Sequence, residues 1–370
     1  MQGYRVVRGD ASRALDALRN APTMFFVVFA ASSKTSTIPG ITAAGPTPEA
    51  TLYTPTLDIE YLVTGRPLTM DVIPVTPEGI PTPAVVTRAS LQLVNDARIV
   101  VVDAGVYREP LIPHVKLPSR RVGGRIDVEP ALPPGTASKL YEEAKLLAHM
   151  LVGKAGNATT LVVGETIPAG TTTAMCIMEG LGFNAAGRVS SSMPGNPHNL
   201  KQQVLRAALE RSGLRRGDNP FKVIEEVGDP LHVSVAGFVA GAVEKGATVI
   251  LAGGTQMASV LAILSRLGID TSRVAVATTR WLIDDPSSDL PGLIAEIAPD
   301  TPLIAVDISF HDAPYKGLRA YEEGYVKEGV GMGGAMLAAL VRGGRAPREV
   351  VEAAYSEYAR LVGNDSKARG

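Results

Sequence analysis

The sequence predicts an α/β fold, a Rossmann-like and mostly parallel sheet with helices on both faces. Three observations favour this class. Short runs rich in valine, isoleucine, leucine and alanine recur along the chain, these runs are continuous rather than alternating, and helical patterns separate most of them. Continuous apolar runs are typical of strands buried on both faces, and strand–helix–strand spacing is typical of parallel βαβ units.

Six apolar runs are predicted as strands. In chain order they are Met24–Ala30, Ala97–Asp103, Thr159–Gly164, Ala247–Ala252, Arg273–Thr278 and Pro302–Asp307. The first run is too short to span a bilayer. It also follows the acidic residues Asp10 and Asp16, whereas a signal peptide begins with a basic segment. We therefore interpret it as a buried first strand and expect no membrane association.

Apolar residues recur at helical spacing before, between and after these strands. The predicted helices are Ala11–Leu18, Ala137–Val152, Asn199–Arg211, Pro220–Val227, His232–Lys245, Met257–Leu267, Gly333–Val341 and Arg348–Val362. We expect residues 20–315 to form a large α/β domain, and residues 1–19 to join residues 316–370 in a smaller helical unit. The last residues, Asn364–Gly370, are expected to be a frayed tail.

The stretch Ser32–Val94 interrupts the pattern because it is crowded with proline, threonine and glycine. Two interpretations stay open for it. It is either a long ordered connection or a set of loops folded over a site, since long loops inside a compact domain are usually functional or disordered. Apolar residues within it, such as Ile38, Leu57 and Tyr61, argue against disorder.

Composition and charge exclude several classes of function. The 36 lysine and arginine residues balance 37 aspartate and glutamate residues, and aromatic residues make up only 5% of the chain. Nucleic-acid binding is therefore disfavoured, since it depends on basic surfaces and on stacking aromatic rings. Cys176 is the single cysteine, which excludes an intramolecular disulfide and a multi-cysteine zinc site, and no histidines are paired at ligand spacing. We expect a cytoplasmic protein without a metal or cofactor.

Polar residues follow two of the predicted strands at their carboxyl ends, where open α/β sheets bind ligands. Glu165 ends the third strand, and after a turn the run Gly170, Thr171, Thr172 and Thr173 begins a helix. Hydroxyl groups and free backbone N–H groups at a helix start can bind an anion. Gly253, Gly254 and Thr255 follow the fourth strand in the same way. Each motif alone is also compatible with an ordinary capped helix, but their shared position at one sheet edge favours a site.

Two further segments carry candidate residues. Gly187 and Arg188 form a turn before a helix that bears Lys201. Near the C-terminus, Glu328 is followed by glycines, which formally match a dinucleotide-binding pattern, but no apolar strand precedes them. The interpretations left open are a carboxylate beside a ligand at a helix start and a surface glutamate before a flexible turn.

Taken in order, these segments resemble the nicotinate-nucleotide–dimethylbenzimidazole phosphoribosyltransferase family of cobamide assembly, over about Val152–Arg342. Gly164–Ala174 is similar to the family stretch G-E-M-G-I-G-N-T-T-A, with one extra residue and Pro168 inside the turn. Glu328–Gly331 and the helix after it are similar to L-G-E-G-T-G-A-A-L-A. Ala252–Gly254 stands where the family has a strand ending in D-G-F, so the aspartate and the phenylalanine are absent here. The chain looks like an archaeal-type branch of the family.

The resemblance implies a reaction and a set of residues. A base nitrogen attacks C1′ of nicotinate mononucleotide and nicotinate leaves, with Glu328 as the proton acceptor and Glu165 as a second essential carboxylate. It places the substrate on Gly170, Thr171, Thr172, Gly253, Gly254, Thr255, Gly329 and Gly331, with help from Arg188 and Lys201. It also implies a homodimer. Two alternatives stay open, a non-catalytic nucleotide-binding protein and a phosphoribosyltransferase or nucleosidase with another acceptor.

Overall fold

One mixed sheet organises the protein, whose computed structural model describes residues 2–76 and 78–363. In the described chain its strand order is β1-β8-β7-β6-β5-β2-β3-β4. The strands are β1 (Tyr4–Arg8), β2 (Thr23–Ala31), β3 (Arg98–Gly105), β4 (Val115–Lys116), β5 (Thr159–Thr166), β6 (Thr248–Ala252), β7 (Val274–Thr279) and β8 (Leu303–Val306). All neighbours pair in parallel except β1, which runs antiparallel to β8. The predicted fold class is confirmed.

Helices connect and cover these strands. They are α1 (Ser12–Asn20), α2 (Thr54–Thr64), α3 (Ala84–Leu91), α4 (Thr136–Val152), α5 (Gly170–Gly180), α6 (His198–Ser212), α7 (Pro220–Val227), α8 (Pro230–Glu244), α9 (Thr255–Arg266), α10 (Arg280–Ile283), α11 (Leu290–Ile297), α12 (Lys316–Arg319), α13 (Met332–Val341) and α14 (Pro347–Val362). Every predicted strand and helix is present, α7 with the predicted bounds and the others with ends shifted by one or two residues. The expected tail Asn364–Gly370 lies outside the described residues.

Strand β1 is an element that the sequence does not reveal. None of its five residues, YRVVR, is fully buried and two are arginines, so they form no continuous apolar run. Tyr4 pairs with Val306 at the edge of the sheet, where a strand forms backbone hydrogen bonds to a neighbour on one side only. The segment 1–19 therefore contributes a strand to the main sheet as well as α1. The division of the chain into two units stays a prediction.

Two apolar cores lie on opposite faces of the sheet. On one face α4 and α8 pack together, and on the other α13 crosses β5 to β8. Helix α13 approaches the sheet closely because Gly334 carries no side chain: a Cβ there would lie 2.3 Å from Cβ of Ala252. This packing holds the start of α13, and the turn before it, at the carboxyl edge of the sheet.

The described residues of the stretch Ser32–Val94 include α2, α3 and short 3₁₀ turns at Lys34–Thr37 and Ala50–Leu52. Its threonines and serines bond to one another and to neighbouring segments; the Thr51 hydroxyl, for example, donates to Ser36 Oγ at 2.7 Å. Helix α2 carries Pro55 in its first turn, where proline is tolerated because its missing N–H has no partner to lose. The helix buries Asp58 and Glu60 along with apolar residues, so its sequence lacks a purely apolar stripe.

Candidate active site

A cavity of about 370 Å³ opens at the carboxyl edge of the sheet, beside the end of β5. Its walls come mainly from residues within 42–83, 165–171, 190–192 and 326–330. This is the crevice in which open α/β sheets bind ligands, and its volume suits a small molecule. The interruption at Ser32–Val94 is thus both an ordered connection and a wall of the cavity.

Carboxylates are the only charged side chains among the described residues that line this cavity. They belong to Asp58, Glu165 and Glu328. No described lysine, arginine or histidine shares the lining with them. The described lining therefore offers carboxyl groups to a ligand group that carries positive charge or donates a proton.

Glu328 sits in the turn before α13, and several donors surround its carboxylate. The backbone N–H groups of Gly333 and Gly329 donate to it at 3.1 Å, and the Thr278 hydroxyl donates at 3.4 Å. Burial of the group raises its pKa to about 7, although the backbone donors act in the opposite direction. A carboxylate with this pKa can exchange a proton near neutral pH.

Glu165 ends β5 and is 2% exposed. Its Oε2 atom has no hydrogen-bond partner among the described residues. Burial raises the pKa of Glu165 to about 8, and the neighbouring charge of Glu328 adds to the rise. Two carboxyl groups that face one cavity resist being ionised together. The better-solvated group, Glu328, is therefore the one that ionises first.

The turn that carries Glu328 rests directly on β5. The backbone N–H of Val330 donates to the Glu165 carbonyl oxygen at 2.9 Å. A Cβ on Gly164 would lie 2.8 Å from Cα of Gly331, so neither glycine leaves room for a side chain. This close backbone contact brings Glu165 and Glu328 to the same cavity.

Hydroxyl and amide groups line another part of the cavity. Gly170 and Thr171 stand at the start of α5, and Ser190–Ser192 and Gln256 lie in the lining with them. Lys201 lies behind this wall, where its Nζ donates to Thr171 Oγ1 at 2.7 Å and to the Ser190 carbonyl oxygen. Burial lowers the pKa of Lys201 to about 7, with a further contribution from the charge of Lys327. This wall therefore presents neutral hydroxyl and amide groups to the cavity, with the amine of Lys201 behind them.

Three residues of the lining adopt left-handed backbone conformations that are rare for their types. They are Ala169 (φ +60°), Val326 (φ +49°) and Val330 (φ +51°). Such conformations cost about 1–3 kcal/mol each and persist where the surrounding structure enforces them. The backbone strain of the described chain is thus concentrated around Glu165 and Glu328.

The other predicted site residues lie at varying distances from the cavity. Gly329 lines it, whereas Thr172 is buried outside the lining. Gly253, Gly254 and Thr255 lead into α9 behind the wall, where Thr255 Oγ1 accepts from the Ser190 N–H at 3.0 Å. Arg188 is not brought to the cavity. Its guanidinium forms ion pairs with Asp289 and Glu296 instead.

Sequence reasoning did not single out several lining residues, namely Asp58, Gln256, the serines 190–192 and, within the stretch Ser32–Val94, the apolar residues Met70, Val72, Ile73, Pro74 and Val75. Asp58 gives a faint signal, because a charged residue stands inside the apolar helical stretch Leu57–Leu62. The serines form a visible polar run directly after Arg188. The remaining lining residues meet only through the fold.

No group of three or more histidine, cysteine, aspartate or glutamate side chains within the described chain could hold a metal ion. No helix within it has the length and apolar character needed to cross a bilayer.

A family model described as Phosphoribosyltransferase matches residues 87–280 of this chain. The UPF0284 protein of Aeropyrum pernix is 54% identical over 333 residues, which cover 90% of this chain and 91% of that protein. The UPF0284 protein of Pyrobaculum calidifontis is 46% identical, with 92% and 97% covered. That of Thermococcus gammatolerans is 44% identical, with 91% and 98% covered.

Two solved structures from Thermus thermophilus share the fold. One is CobT and the other is nicotinate-nucleotide-dimethylbenzimidazole phosphoribosyltransferase. Each is 18% identical to this chain with a TM-score of 0.62, and the match covers 94% of this chain and 92% of the other. Together with the family model, this similarity confirms the resemblance that the motifs indicated.

Proposed function

Because this chain belongs to the phosphoribosyltransferase family whose model matches residues 87–280, we propose a reaction for it. The chain also belongs to the UPF0284 proteins, which match nine tenths of its length. It transfers the ribose-phosphate of nicotinate mononucleotide to a benzimidazole-like base and releases nicotinate. Glu328 is the proton acceptor. The observation that carries the proposal is the meeting of Glu165 and Glu328 in one cavity that no described cationic side chain lines.

The proposed step balances without a metal. The azole nitrogen forms a bond to C1′ while the bond from C1′ to the pyridinium nitrogen breaks. The electron pair of the broken bond neutralises the ring of the departing nicotinate, so no general acid is required. The azole loses its N–H proton to the Glu328 carboxylate, which then carries it as a neutral acid.

The two carboxyl groups take different roles because their surroundings differ. Backbone and hydroxyl donors stabilise the ionised form of Glu328, which suits a base. Glu165 has one oxygen without a partner and a higher pKa, so it is neutral at pH 7 and can donate a hydrogen bond to the ribose or the base. A positioned general base contributes about 10²–10⁴-fold in rate.

One wall of the cavity suits the phosphate of the donor, and another suits the acceptor base. We assign the phosphate to the wall of Gly170, Thr171 and Ser190–Ser192, because backbone N–H groups at a helix start and hydroxyl groups bind anions. Lys201 supports that wall from behind. We assign the flat acceptor base to the apolar wall of residues 70–76 and 80–83. The family resemblance further leads us to propose a cytoplasmic homodimer.

Turnover tests the proposal directly. Purified protein is incubated with nicotinate mononucleotide and a panel of benzimidazoles, purines and phenols, and nicotinate and the new nucleotide are followed by mass spectrometry. We expect base-dependent release that falls by about 10²-fold or more in Glu328→Gln. Glu210→Gln on the exposed side of α6 is the matched control and should retain activity.

Three outcomes would contradict the proposal. Nucleotide binding without release with any base would identify a non-catalytic binding protein. Release without any base would identify a hydrolase. Unchanged release by Glu328→Gln would remove Glu328 as the proton acceptor.

A further inference from the structure

Asp58 is a buried carboxyl group of the cavity for which the proposed reaction has no role. It stands on α2 in the N-terminal segment, is 4% exposed, and lines the cavity with Glu165 and Glu328. No ion pair to it is found among the described residues, in contrast to buried Asp103, which pairs with Arg120. Burying an ionised carboxylate without a cation is unfavourable, so packing alone does not account for an aspartate here.

The carboxylate of Asp58 joins two walls of the cavity. The Thr166 hydroxyl donates to its Oδ2 at 2.7 Å, and the Thr82 hydroxyl donates to its Oδ1 at 2.6 Å. Thr166 directly follows Glu165 at the end of β5. Thr82 directly precedes Pro83, at the start of α3. One side chain therefore connects the strand end that carries Glu165 to the apolar wall assigned to the acceptor base.

The wall held by Thr82 also supports the turn that carries Glu328. The Thr87 hydroxyl on α3 donates to the Val330 carbonyl oxygen at 3.1 Å. Pro83 packs against the same turn, since a Cβ on Gly329 would lie 2.9 Å from its ring. A shift of α3 would thus move both the base-binding wall and Glu328 relative to Glu165.

We propose that Asp58 is a positioning residue, which holds the acceptor-base wall and Glu165 in register through the hydroxyl groups of Thr82 and Thr166. The proposal rests on the proposed function and adds a residue to it. Loss of either hydrogen bond should lower kcat and weaken binding of the acceptor base, and leave the affinity for the phosphate-bearing donor nearly unchanged. Small misplacements of reacting groups can cost about 10²-fold in rate.

Two variants of Thr166 separate the hydrogen bond from the shape of the side chain. Thr166→Ser keeps the hydroxyl group, and Thr166→Val keeps the shape and removes it. For Thr166→Val we expect kcat to fall by about 10–10²-fold, with the KM for nicotinate mononucleotide within about 2-fold of the wild type since the phosphate wall is untouched. Thr166→Ser should recover most of the activity. Asp58→Ala removes both acceptor oxygens and should resemble Thr166→Val.

Thr160→Val is the matched control for these variants. Thr160 is a buried threonine at the other end of β5, and its hydroxyl donates to the Ala17 carbonyl oxygen at 3.0 Å. This variant loses a hydrogen bond of the same kind, so it should lose stability like Thr166→Val and keep the wild-type kcat.

Equal activities of Thr166→Ser and Thr166→Val would overturn the role of Asp58, as would a loss of donor affinity in parallel with kcat. If the wild type shows no turnover, the proposed function fails and binding of dimethylbenzimidazole by calorimetry decides the inference separately. Binding that is weakened about 10-fold in Thr166→Val and retained in Thr166→Ser would support it. Equal binding by the two variants would overturn it.

Discussion

The backbone on either side of Glu328 is held in an unfavourable conformation by hydrogen bonds to the cavity walls. Val326 and Val330 both have left-handed φ angles, of +49° and +51°. The N–H of Val326 donates to the Ser192 carbonyl oxygen at 3.1 Å, and that of Val330 donates to the Glu165 carbonyl oxygen at 2.9 Å. These bonds fix the turn between two walls, so strain is retained beside the proposed base.

This strain predicts an unusual order of stability at residue 326. Val326→Ala and Val326→Gly remove the same branched side chain, but only glycine adopts a left-handed conformation without strain. We expect the glycine variant to have the larger free energy of unfolding, by about 1 kcal/mol, in urea denaturation. Val351 in the middle of α14 is the matched control, where the alanine variant should be more stable by about 1 kcal/mol. If the alanine variant were the more stable one at both positions, the backbone at residue 326 would not be strained.

At the scale of elements, the sequence predicts those parts whose signal is local. Strands such as β5 and β6 are buried on both faces and appear as continuous apolar runs. Strand β1 lies at the sheet edge and has no such run, and α2 buries the charged residues Asp58 and Glu60 among its apolar ones. Apolar periodicity reports burial of an apolar face, so an edge strand that buries little and a helix that buries charged residues are missed.

The candidate site shows the same division. Glu165 and Glu328 could be selected because each lies at the edge of a recognisable strand or glycine-rich turn. Asp58 could not, because its partners Thr82 and Thr166 are 24 and 108 residues away. Arg188 looks like an anion ligand in its turn, yet Asp289 and Glu296 already neutralise it. Contacts of this kind depend on the sheet order, which a local pattern does not contain.

The segment from Pro67 to Thr76 is an apolar rim of the cavity that remains partly open to solvent. Met70, Val72 and Ile73 line the cavity and are 39%, 41% and 55% exposed. The start of the rim is anchored by Glu60, which accepts from the N–H groups of Leu68 and Thr69 at 2.7 and 2.8 Å. A flat apolar ligand would remove these side chains from water, which would stabilise the complex.

The rim predicts how the acceptor base is held. Ile73→Ser should raise the KM for dimethylbenzimidazole by about 10-fold, because contacts of this size in apolar pockets contribute about 1–3 kcal/mol. The KM for nicotinate mononucleotide should change little. Leu146→Ser removes a comparably exposed side chain from α4, outside the cavity lining, and should change neither constant. Equal increases in both KM values for Ile73→Ser would show that the rim does not select the base.

At the scale of the whole molecule, the buried carboxyl groups make stability depend on pH. Burial raises the pKa values of Asp58 to about 6, Glu328 to about 7 and Glu165 to about 8. Between about pH 4.5 and 8 the folded state therefore holds protons that the unfolded state has released. Stability falls with rising pH in that range, by up to about 1.4 kcal/mol per pH unit for each group.

Groups whose pKa is lowered on folding limit the pH range in which this fall is seen, as Asp285 and Lys201 illustrate. Hydrogen bonds from Ser287 and Lys327 outweigh burial and lower the pKa of Asp285 to about 2, so its stabilisation is complete above about pH 4. Burial lowers the pKa of Lys201 to about 7, and the unfolded state then binds the extra proton above that pH. Lys201 consequently makes stability rise with pH above about 7. The net fall is confined to about pH 5–7.

This balance predicts a maximum of thermal stability near pH 5 and a decline towards pH 7. The double variant Glu165→Gln/Glu328→Gln should lose most of that decline, because the amides carry no proton that the unfolded state would release. Differential scanning calorimetry from pH 4 to 8 measures both curves, with Glu210→Gln as a matched exposed control that should follow the wild type. A wild-type Tm that rises from pH 5 to 7 would mean that both carboxylates are readily ionised in the ligand-free cavity, and Glu165 would then lose its assignment as the neutral donor.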